Sequence, residues 1–209
     1  MSEQISCGAL PAQLNLIKYL KKINSILHMD SLDLIPEVLD KEPLNILQVK
    51  FQGRLLKPGD VLRPKCVKLT PELEWRDDNT ALYTIFMIDP DAPSRNDHRF
   101  REFLHWLVIN APLNKVKRGT TIAGYIGAGP PKGTGLHRYV ILVFKQNEKI
   151  TFEEARISRY SAFGRARFSN KAFARKYNLG PLVAGNIFLS EWDDYVPKLY
   201  KRLQFCPSH

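Results

Sequence analysis

The chain of 209 residues and 24.0 kDa is long enough to bury a core without help from metals or disulfides. Its hydrophobic share of 44% and its charged share of 25% exclude a wholly disordered or fibrous protein. A formal net charge of +10 suits acidic proteins, anionic lipid headgroups or nucleic acid as partners, and equally a solvated basic surface without a dedicated partner.

Targeting and redox features predict a cytoplasmic protein. No apolar run approaches the roughly 18 residues of a membrane span, and the polar residues after Met1 do not resemble a signal segment. Cys7, Cys66 and Cys206 are odd in number and lack CxxC spacing, which argues against a disulfide framework and against a zinc site. A reducing compartment therefore fits best.

Residues 1–30 are predicted to form an N-terminal extension to a domain that spans 31–209. Apolar residues at helical spacing form one stripe in the extension, namely Leu16, Leu20, Ile23 and Leu27. Lysines lie mostly off this stripe, so the extension is predicted to be a basic amphipathic helix. It could dock on the domain, which we favour, lie on an anionic membrane or serve in targeting.

From Leu44 onward the pattern is that of short strands. Leu47, Val49 and Phe51 alternate with polar residues, which is the period of a half-buried strand. Further strands are predicted in segments rich in β-branched and aromatic residues, at 82–88, 106–110, 121–126, 138–144 and 183–189. Because no long helices alternate with them, these strands predict an antiparallel sandwich.

Helix signals cluster in the last third of the chain. Thr151 and Glu154 match a capping box, and Ser169 is predicted to cap a helix that runs through Tyr177. Pro197 suits the first turn of a final helix.

Two carboxylates leave a predicted strand on a stiff loop. Asp89 and Asp91 follow the apolar segment that ends at Ile88, and Pro90 and Pro93 fix the backbone around them. Stiffness at a strand end is typical of a preorganised site, although an Asp-rich turn that satisfies only its own amides has the same composition.

A glycine- and proline-rich loop at 127–135 leads to His137, which begins a predicted strand. Glycines let backbone N–H groups approach a ligand, but the loop lacks the GxxxxGK[ST] pattern of a nucleotide-hydrolysing phosphate loop. Tyr139 lies two residues after His137 and therefore on the same face of that strand. A plain turn between two strands is the alternative.

His105 lies inside an apolar strand segment. Strand alternation predicts that it shares a face with Phe103 and Leu107, opposite Leu104 and Trp106. A single histidine there is more often a satisfied core residue. Together with the second histidine, the two carboxylates and the two stiff loops, it predicts one small polar pocket.

The predicted pocket has two candidate chemistries. Two histidines and two aspartates could hold a divalent metal that activates water, as in a metal-dependent hydrolase. Alternatively, the histidines and the amides of the glycine loop could bind phosphate oxygens, with Asp89 and Asp91 orienting the histidines. Because the four residues come from separate segments, their spacing leaves both chemistries open.

A third function, binding of nucleic acid or of an anionic membrane, would use a basic stretch at 156–176. Its basic residues are Arg156, Arg159, Arg165, Arg167, Lys171, Arg175 and Lys176. Aromatic residues lie between them, but packing explains these aromatics at least as well, so nucleic acid is a disfavoured partner.

Four motifs resemble the phosphatidylethanolamine-binding protein family, also called Raf kinase inhibitor proteins. They are DPDAPSR at 89–95, REFLH at 101–105, GAGPPKGTGLHRY at 127–139 and EWDDYVPKLY at 191–200. The resemblance covers about residues 32–204, in order and without large gaps. It implies a mainly β fold, a Greek-key sandwich of a large and a small antiparallel β-sheet with peripheral and C-terminal helices.

Carried over by motif, the resemblance implies a pocket for phosphate, phosphorylethanolamine or a related headgroup. The implied ligand-binding residues are Asp89, Asp91, His105, Gly129, Pro130, His137, Tyr139 and Tyr200. The family resemblance also implies binding and regulation without catalysis, metal or cofactor. Protein kinases, serine proteases or a membrane surface are the implied partners, and a cis peptide bond is implied between Arg101 and Glu102.

Three positions depart from the family pattern. Phe103 replaces a tryptophan of many animal members, and Phe100 replaces a tyrosine, which removes a hydroxyl beside the pocket. Ala172 stands where the mammalian kinase inhibitor carries a regulatory phosphoserine. A phosphorylation switch of that kind is therefore not expected.

Overall fold

The computed structural model describes residues 32–77 and 80–203. The strands in these ranges are β1 (Asn45–Ile46), β2 (Gln48–Phe51), β3 (Arg54–Leu55), β4 (Asp60–Val61), β5 (Glu72–Glu74), β6 (Leu82–Asp89), β7 (Phe103–Pro112), β8 (Thr120–Ala123), β9 (His137–Gln146) and β10 (Leu179–Ser190). The α-helices are α1 (Asn170–Lys176) and α2 (Val196–Tyr200), and short 3-10 helices span Pro64–Val67 and Val116–Arg118.

The strands form a large and a small sheet. The large sheet has the order β1-β10-β9-β6-β7-β8 with β4 also paired to β10, and the small sheet has the order β3-β2-β5. Strands β6, β7 and β8 are antiparallel neighbours and β9 returns to pair with β6, so this part is a Greek key. The predicted fold is confirmed with one difference. The two-residue strands β1 and β4 run parallel to β10, so the large sheet is mixed rather than purely antiparallel.

The large sheet is covered on both faces. One face packs against the small sheet through a core that includes Val49 and Ile85. The other face packs against residues 32–39 and α1 through a second core that includes Phe86 and Phe173. The central strands β6 and β9 are therefore buried on both faces, which explains why their sequences are almost continuously apolar.

Two of the three helices predicted within the described ranges form. Ser169 caps α1, and its hydroxyl accepts a hydrogen bond from the Ala172 N–H at 3.2 Å. Pro197 lies in the first turn of α2. The helix predicted from the capping box at Thr151 is wrong, because the backbone around Ile157 pairs with the end of β8 instead.

The amphipathic helix predicted over residues 1–30 lies outside the described residues. Cys66 forms a disulfide bond, so the expectation of reduced cysteines is wrong at this position, while Cys7 and Cys206 lie outside the described residues. The odd number of cysteines argued against a disulfide framework, but it does not exclude a single disulfide bond. No helix within residues 32–77 and 80–203 is long and apolar enough to cross a membrane.

Candidate ligand-binding site

A cavity of about 520 Å³ lies where one end of the large sheet meets α2. The antiparallel pairing places the last residue of β6 beside the first residues of β7 and β9. The floor of the cavity therefore consists of Asp89, His105 and His137, which come from three neighbouring strands. Gly129 and Tyr200 also line it. Most of the remaining walls are apolar, including Ala92, Pro93, Phe100, Phe103, Phe163, Leu199 and Leu203.

Asp89 orients His137. The Nδ1 atom of His137 lies 2.9 Å from Asp89 Oδ2, and its Nε2 atom lies 2.8 Å from Thr134 Oγ1. The other carboxylate oxygen of Asp89 accepts the Asp91 N–H at 2.8 Å. Both ring nitrogens of His137 are thus engaged, and the imidazole is held in one orientation.

Asp91 does not line the cavity, contrary to the prediction that both carboxylates face one pocket. It is fully buried, and its carboxylate accepts hydrogen bonds from Arg138 Nη2 at 2.6 Å and Nε at 2.9 Å. The Arg138 guanidinium also donates to the carbonyl of Leu32 at 2.7 Å and to Glu37 at 3.1 Å. The ion pair explains the turn of Asp91 away from the cavity, because a buried carboxylate is stable only when it is paired.

His105 is a neutral member of the floor. Its Nδ1 atom lies 3.0 Å from the carbonyl oxygen of Ile126, so Nδ1–H donates there. Burial lowers the pKa of His105 to about 4 and outweighs the opposing charge of Asp89. At neutral pH the ring therefore carries no charge.

The predicted face of His105 is correct relative to Leu104 but wrong relative to Leu107. A bulge in β7 lets Met87 pair with Trp106 and the next residue of β6 pair with Leu104. Leu104 and Leu107 both face the second core, whereas His105 packs edge-on against Tyr139 beside the first core. His105 is therefore on the face opposite Leu107, which strict alternation could not predict.

Gly129 and the two tyrosines close one side of the cavity. The Tyr200 hydroxyl donates to the Gly129 carbonyl at 2.7 Å, and the Gly129 N–H lies 3.4 Å from the Tyr139 hydroxyl. A Cβ atom on Gly129 would lie 2.8 Å from Leu199 Cδ2, so α2 can approach this closely only against glycine. Tyr139 is fully buried behind the floor. Pro130 is buried and does not line the cavity, whereas the neighbouring Pro131 does.

Two exposed phenylalanines at the rim of the cavity were not predicted as site residues. Phe100 is 42% exposed and Phe163 is 56% exposed, and both line the cavity. Phe163 belongs to loop 158–166, and the Arg165 guanidinium fixes that loop from inside the protein. The prediction of one basic surface at 156–176 is wrong for Arg165, which is fully buried.

Glu102 anchors the rim next to Phe103. The bond between Arg101 and Glu102 is cis, which confirms the expectation. Both carboxylate oxygens of Glu102 accept hydrogen bonds from Asn170, at 2.9 Å from the backbone N–H and at 2.8 Å from the side chain. Burial is the largest influence on this carboxyl and raises the pKa of Glu102 to about 7.

Glu102→Gln should change how stability depends on pH. The folded protein holds a proton on Glu102 up to about pH 7, whereas the unfolded chain releases it near pH 4.5. The stability that this raised pKa contributes is complete below about pH 4.5 and lost as the pH rises through about 7. Relative to the glutamine variant, the wild type should lose about 3 kcal/mol of unfolding free energy over this range. Urea unfolding at pH 4, 6 and 8 measures this difference in unfolding free energy. The control Glu74→Gln, at an exposed glutamate, should show no such change. A difference between wild type and Glu102→Gln that is constant with pH would contradict the prediction.

The metal-binding alternative is not supported by the geometry of these residues. No group of three or more histidine, cysteine, aspartate or glutamate side chains is placed to share a metal ion within the described ranges. Asp91 is turned to Arg138, and both nitrogens of His137 have hydrogen-bond partners. The four residues of the predicted ligand set therefore do not converge on one point.

Comparisons with known proteins agree with the motifs and the fold. The family model described as phosphatidylethanolamine-binding protein matches residues 42–187. A Drosophila melanogaster protein described as "Putative odorant-binding protein A5" is 41% identical over 176 residues, which are 84% of this chain and 84% of that protein. The solution structure of CG7054 is 40% identical, covers 82% of this chain and 98% of its own, and superimposes with a TM-score of 0.67.

A more distant similarity is to the carboxypeptidase Y inhibitor, whose crystal structure contains the cognate proteinase. It is 26% identical, covers 92% of this chain and 100% of its own, and has a TM-score of 0.65. The family model alone spans more than half of the chain. The chain belongs to the phosphatidylethanolamine-binding protein family.

Proposed function

We propose that the protein binds phosphate-containing headgroups, such as phosphorylethanolamine, in the 520 Å³ cavity without catalysing a reaction. The observation that carries the proposal is the polar floor of Asp89, His105 and His137 at the base of otherwise apolar walls. A ligand with a compact polar head and an attached apolar part fits this division, since pockets place few polar groups where they fix orientation.

Phosphate would contact the His105 ring on the floor, with the glycine-loop backbone nearby. Apolar atoms attached to the phosphate would lie against Phe100 and Phe163 at the rim. Asp89 serves to orient His137 rather than to meet the phosphate while ionised, because two anions repel each other in a buried site.

The absence of catalysis is part of the proposal. The hydrogen-bond partners of His137 are an aspartate and a threonine that itself donates to the Pro131 carbonyl at 2.8 Å. A threonine hydroxyl can act as a nucleophile, but Thr134 donates its only proton to the Pro131 carbonyl and therefore offers none to His137 as a general base. Regulation of a protease or kinase partner is a further part of the proposal, and the likeness to an inhibitor that binds its cognate proteinase supports the protease branch.

The cytoplasmic location stays a prediction. The disulfide at Cys66 counts against it, since such bonds persist mainly in oxidising compartments.

Titration calorimetry of phosphorylethanolamine tests the proposal. His105→Ala should weaken binding at least tenfold, because it removes a floor contact and leaves a void beside it (~1.4 kcal/mol per tenfold). His98→Ala is the matched control: His98 is an exposed histidine outside the cavity, and its removal should leave affinity unchanged. Near-ultraviolet circular dichroism checks that both variants are folded. Undiminished binding by folded His105→Ala would overturn the assignment of the ligand to this cavity.

A further inference from the structure

A series of hydrogen bonds connects His137 to the glycine loop (127–135). The Thr134 Oγ1 atom lies 2.8 Å from His137 Nε2 and 2.8 Å from the Pro131 carbonyl oxygen. The Thr134 backbone N–H also donates to that carbonyl, at 3.3 Å, so a turn of the loop holds the threonine in place. Thr134 does not line the cavity, and it can therefore affect a ligand only through His137.

The Thr134 hydroxyl determines where the proton of His137 Nε2 lies. A carbonyl oxygen only accepts hydrogen bonds, so the single hydroxyl proton of Thr134 is donated to Pro131. The hydroxyl oxygen then presents a lone pair to His137 Nε2. Two lone pairs would repel each other at 2.8 Å, so Nε2 carries a proton and donates it to Thr134.

Asp89 fixes the proton of the other ring nitrogen. His137 Nδ1 lies 2.9 Å from Asp89 Oδ2, while Asp89 Oδ1 accepts the Asp91 N–H at 2.8 Å. One proton lies between the imidazole and the carboxyl group, and an imidazole holds a proton more tightly than a carboxylate does. With a proton on each ring nitrogen, His137 is an imidazolium that is paired with the Asp89 carboxylate.

The partners of this ion pair make it stable in the interior. The side chains of His137 and Asp89 are only 1% and 5% exposed, and a buried ion pair persists only where its remaining donors and acceptors are satisfied. His105 shows the contrast, because it donates to the Ile126 backbone carbonyl rather than to a carboxylate. Burial is the largest influence on that ring and lowers the pKa of His105 to about 4.

We propose that Thr134 is a positioning residue whose hydroxyl keeps His137 doubly protonated, so that the imidazolium balances the charge of Asp89 at the cavity floor. This inference rests on the proposed function, since it concerns the same site. A neutral His137 ring would leave the Asp89 carboxylate uncompensated, and the carboxylate would repel a phosphate. None of the described residues that line the cavity is a lysine or an arginine, so the lining depends on His137 for positive charge.

The other titratable groups around the pair carry no charge near neutral pH. Tyr139 on β9 stacks on His137 with 6.5 Å between the ring centroids, and Tyr200 on α2 lines the cavity. Burial is the main cause that raises the pKa of both tyrosines, so neither is an anion. His105 on β7 is neutral. The charge of the floor is therefore set by His137 and Asp89 together.

Nuclear magnetic resonance of the protein labelled with ¹⁵N-histidine tests the proton count directly, without any ligand. At pH 7, one-bond N–H couplings should appear on both ring nitrogens of His137 and only on Nδ1 of His105. The signals of His137 are those that disappear in His137→Asn. A single ring proton on His137, on either nitrogen, would overturn the inference whether or not the proposed function is correct.

Thr134→Val tests the positioning role, because it removes the hydroxyl and nearly preserves the shape of the side chain. We expect His137 to retain one ring proton, on Nδ1, and the affinity for phosphorylethanolamine at pH 7 to fall at least tenfold in titration calorimetry. Thr134→Ser keeps the hydroxyl and should restore both the second ring proton and the affinity. Thr151→Val is the matched control, at an exposed threonine outside the cavity lining.

The outcomes separate this inference from the proposed function. Two ring protons on His137, or undiminished affinity, in folded Thr134→Val would overturn the role of Thr134. Failure of the wild type to bind phosphorylethanolamine would overturn the proposed function, and the proton count of His137 would then decide this inference by itself. That count also decides if Thr134→Val does not fold.

Discussion

Asp91→Ala should destabilise the protein by about 3–5 kcal/mol, because it leaves a buried guanidinium without its main counter-charge. Three N–H groups of Arg138 make four hydrogen bonds to the Asp91 carboxylate, including one from the Arg138 backbone N–H at 2.8 Å. Glu37, the other carboxylate on this guanidinium, has a side chain that is 30% exposed and cannot replace a buried partner. Urea unfolding at neutral pH measures the loss.

A control and a double variant make the measurement specific. Asp97→Ala removes a partly exposed carboxylate that pairs with Arg99, and we expect no comparable loss. The double variant Asp91→Ala/Arg138→Met should lose less than the sum of the two single variants, because it leaves no unpaired charge in the interior. Wild-type stability of Asp91→Ala, or strict additivity in the double variant, would contradict the role given to this ion pair.

The same pair predicts sensitivity to acid. Burial tends to raise the pKa of Asp91, but hydrogen bonds and charge from Arg138 outweigh burial and lower it. A carboxyl with a lowered folded pKa stabilises the protein above its unfolded pKa of about 3.9, and this stability is lost as the pH falls through the folded value. The unfolding free energy of Asp91→Ala should therefore fall less steeply in acid than that of the wild type.

The sequence predicted the strands well and brought Asp89 and His137 together, for a local reason. The two-residue period at Leu47, Val49 and Phe51 reflects burial against a single neighbouring layer, and such a period is visible in any short window. Asp89 and His137 were predicted together because each lies at the end of an apolar strand. Antiparallel pairing then places such strand ends side by side.

Features that depend on distant partners could not be predicted. Nothing local indicates that Asp91 pairs with Arg138, which lies 47 residues further along the chain. The bulge that turns His105 away from Leu107 depends on pairing with β6, not on the composition of β7. Arg165 resembles the other basic residues of its segment in sequence, and only the fold shows that it is buried.

Arg165 makes an unusual set of contacts for a buried cation, because its partners are backbone carbonyls. The guanidinium donates to Ser161 and Ser158 within its own loop, at 2.6 and 2.9 Å. It also donates to Leu104 and His105 on β7, at 2.8 and 3.2 Å. A fifth bond reaches the Gly124 carbonyl at 2.6 Å. Burial lowers the pKa of Arg165 to about 10, so the side chain remains charged at neutral pH.

Arg165 therefore joins loop 158–166 to the strand that carries His105. The loop supplies Ala162, Phe163 and Gly164 to the cavity wall, so this side of the cavity forms only when the loop is held in position. A lysine could satisfy at most three of the five carbonyls, since its ammonium has three donors. The unfolding free energy of Arg165→Lys should therefore lie between that of the wild type and that of a variant with no donor at this position.

Arg165→Met should destabilise the protein by about 4 kcal/mol or more, because five carbonyls lose their donor and each buried group left unpaired costs about 1–3 kcal/mol. Amide hydrogen exchange in loop 158–166 should become faster, and the affinity for phosphorylethanolamine should fall at least tenfold (~1.4 kcal/mol per tenfold), because Phe163 is no longer held over the cavity. Arg156→Met is the matched control: Arg156 is an exposed arginine of the same basic stretch, and its loss should change neither exchange nor affinity. Equal effects of the two substitutions would show that positive charge in this stretch, rather than the buried carbonyl contacts of Arg165, supports ligand binding.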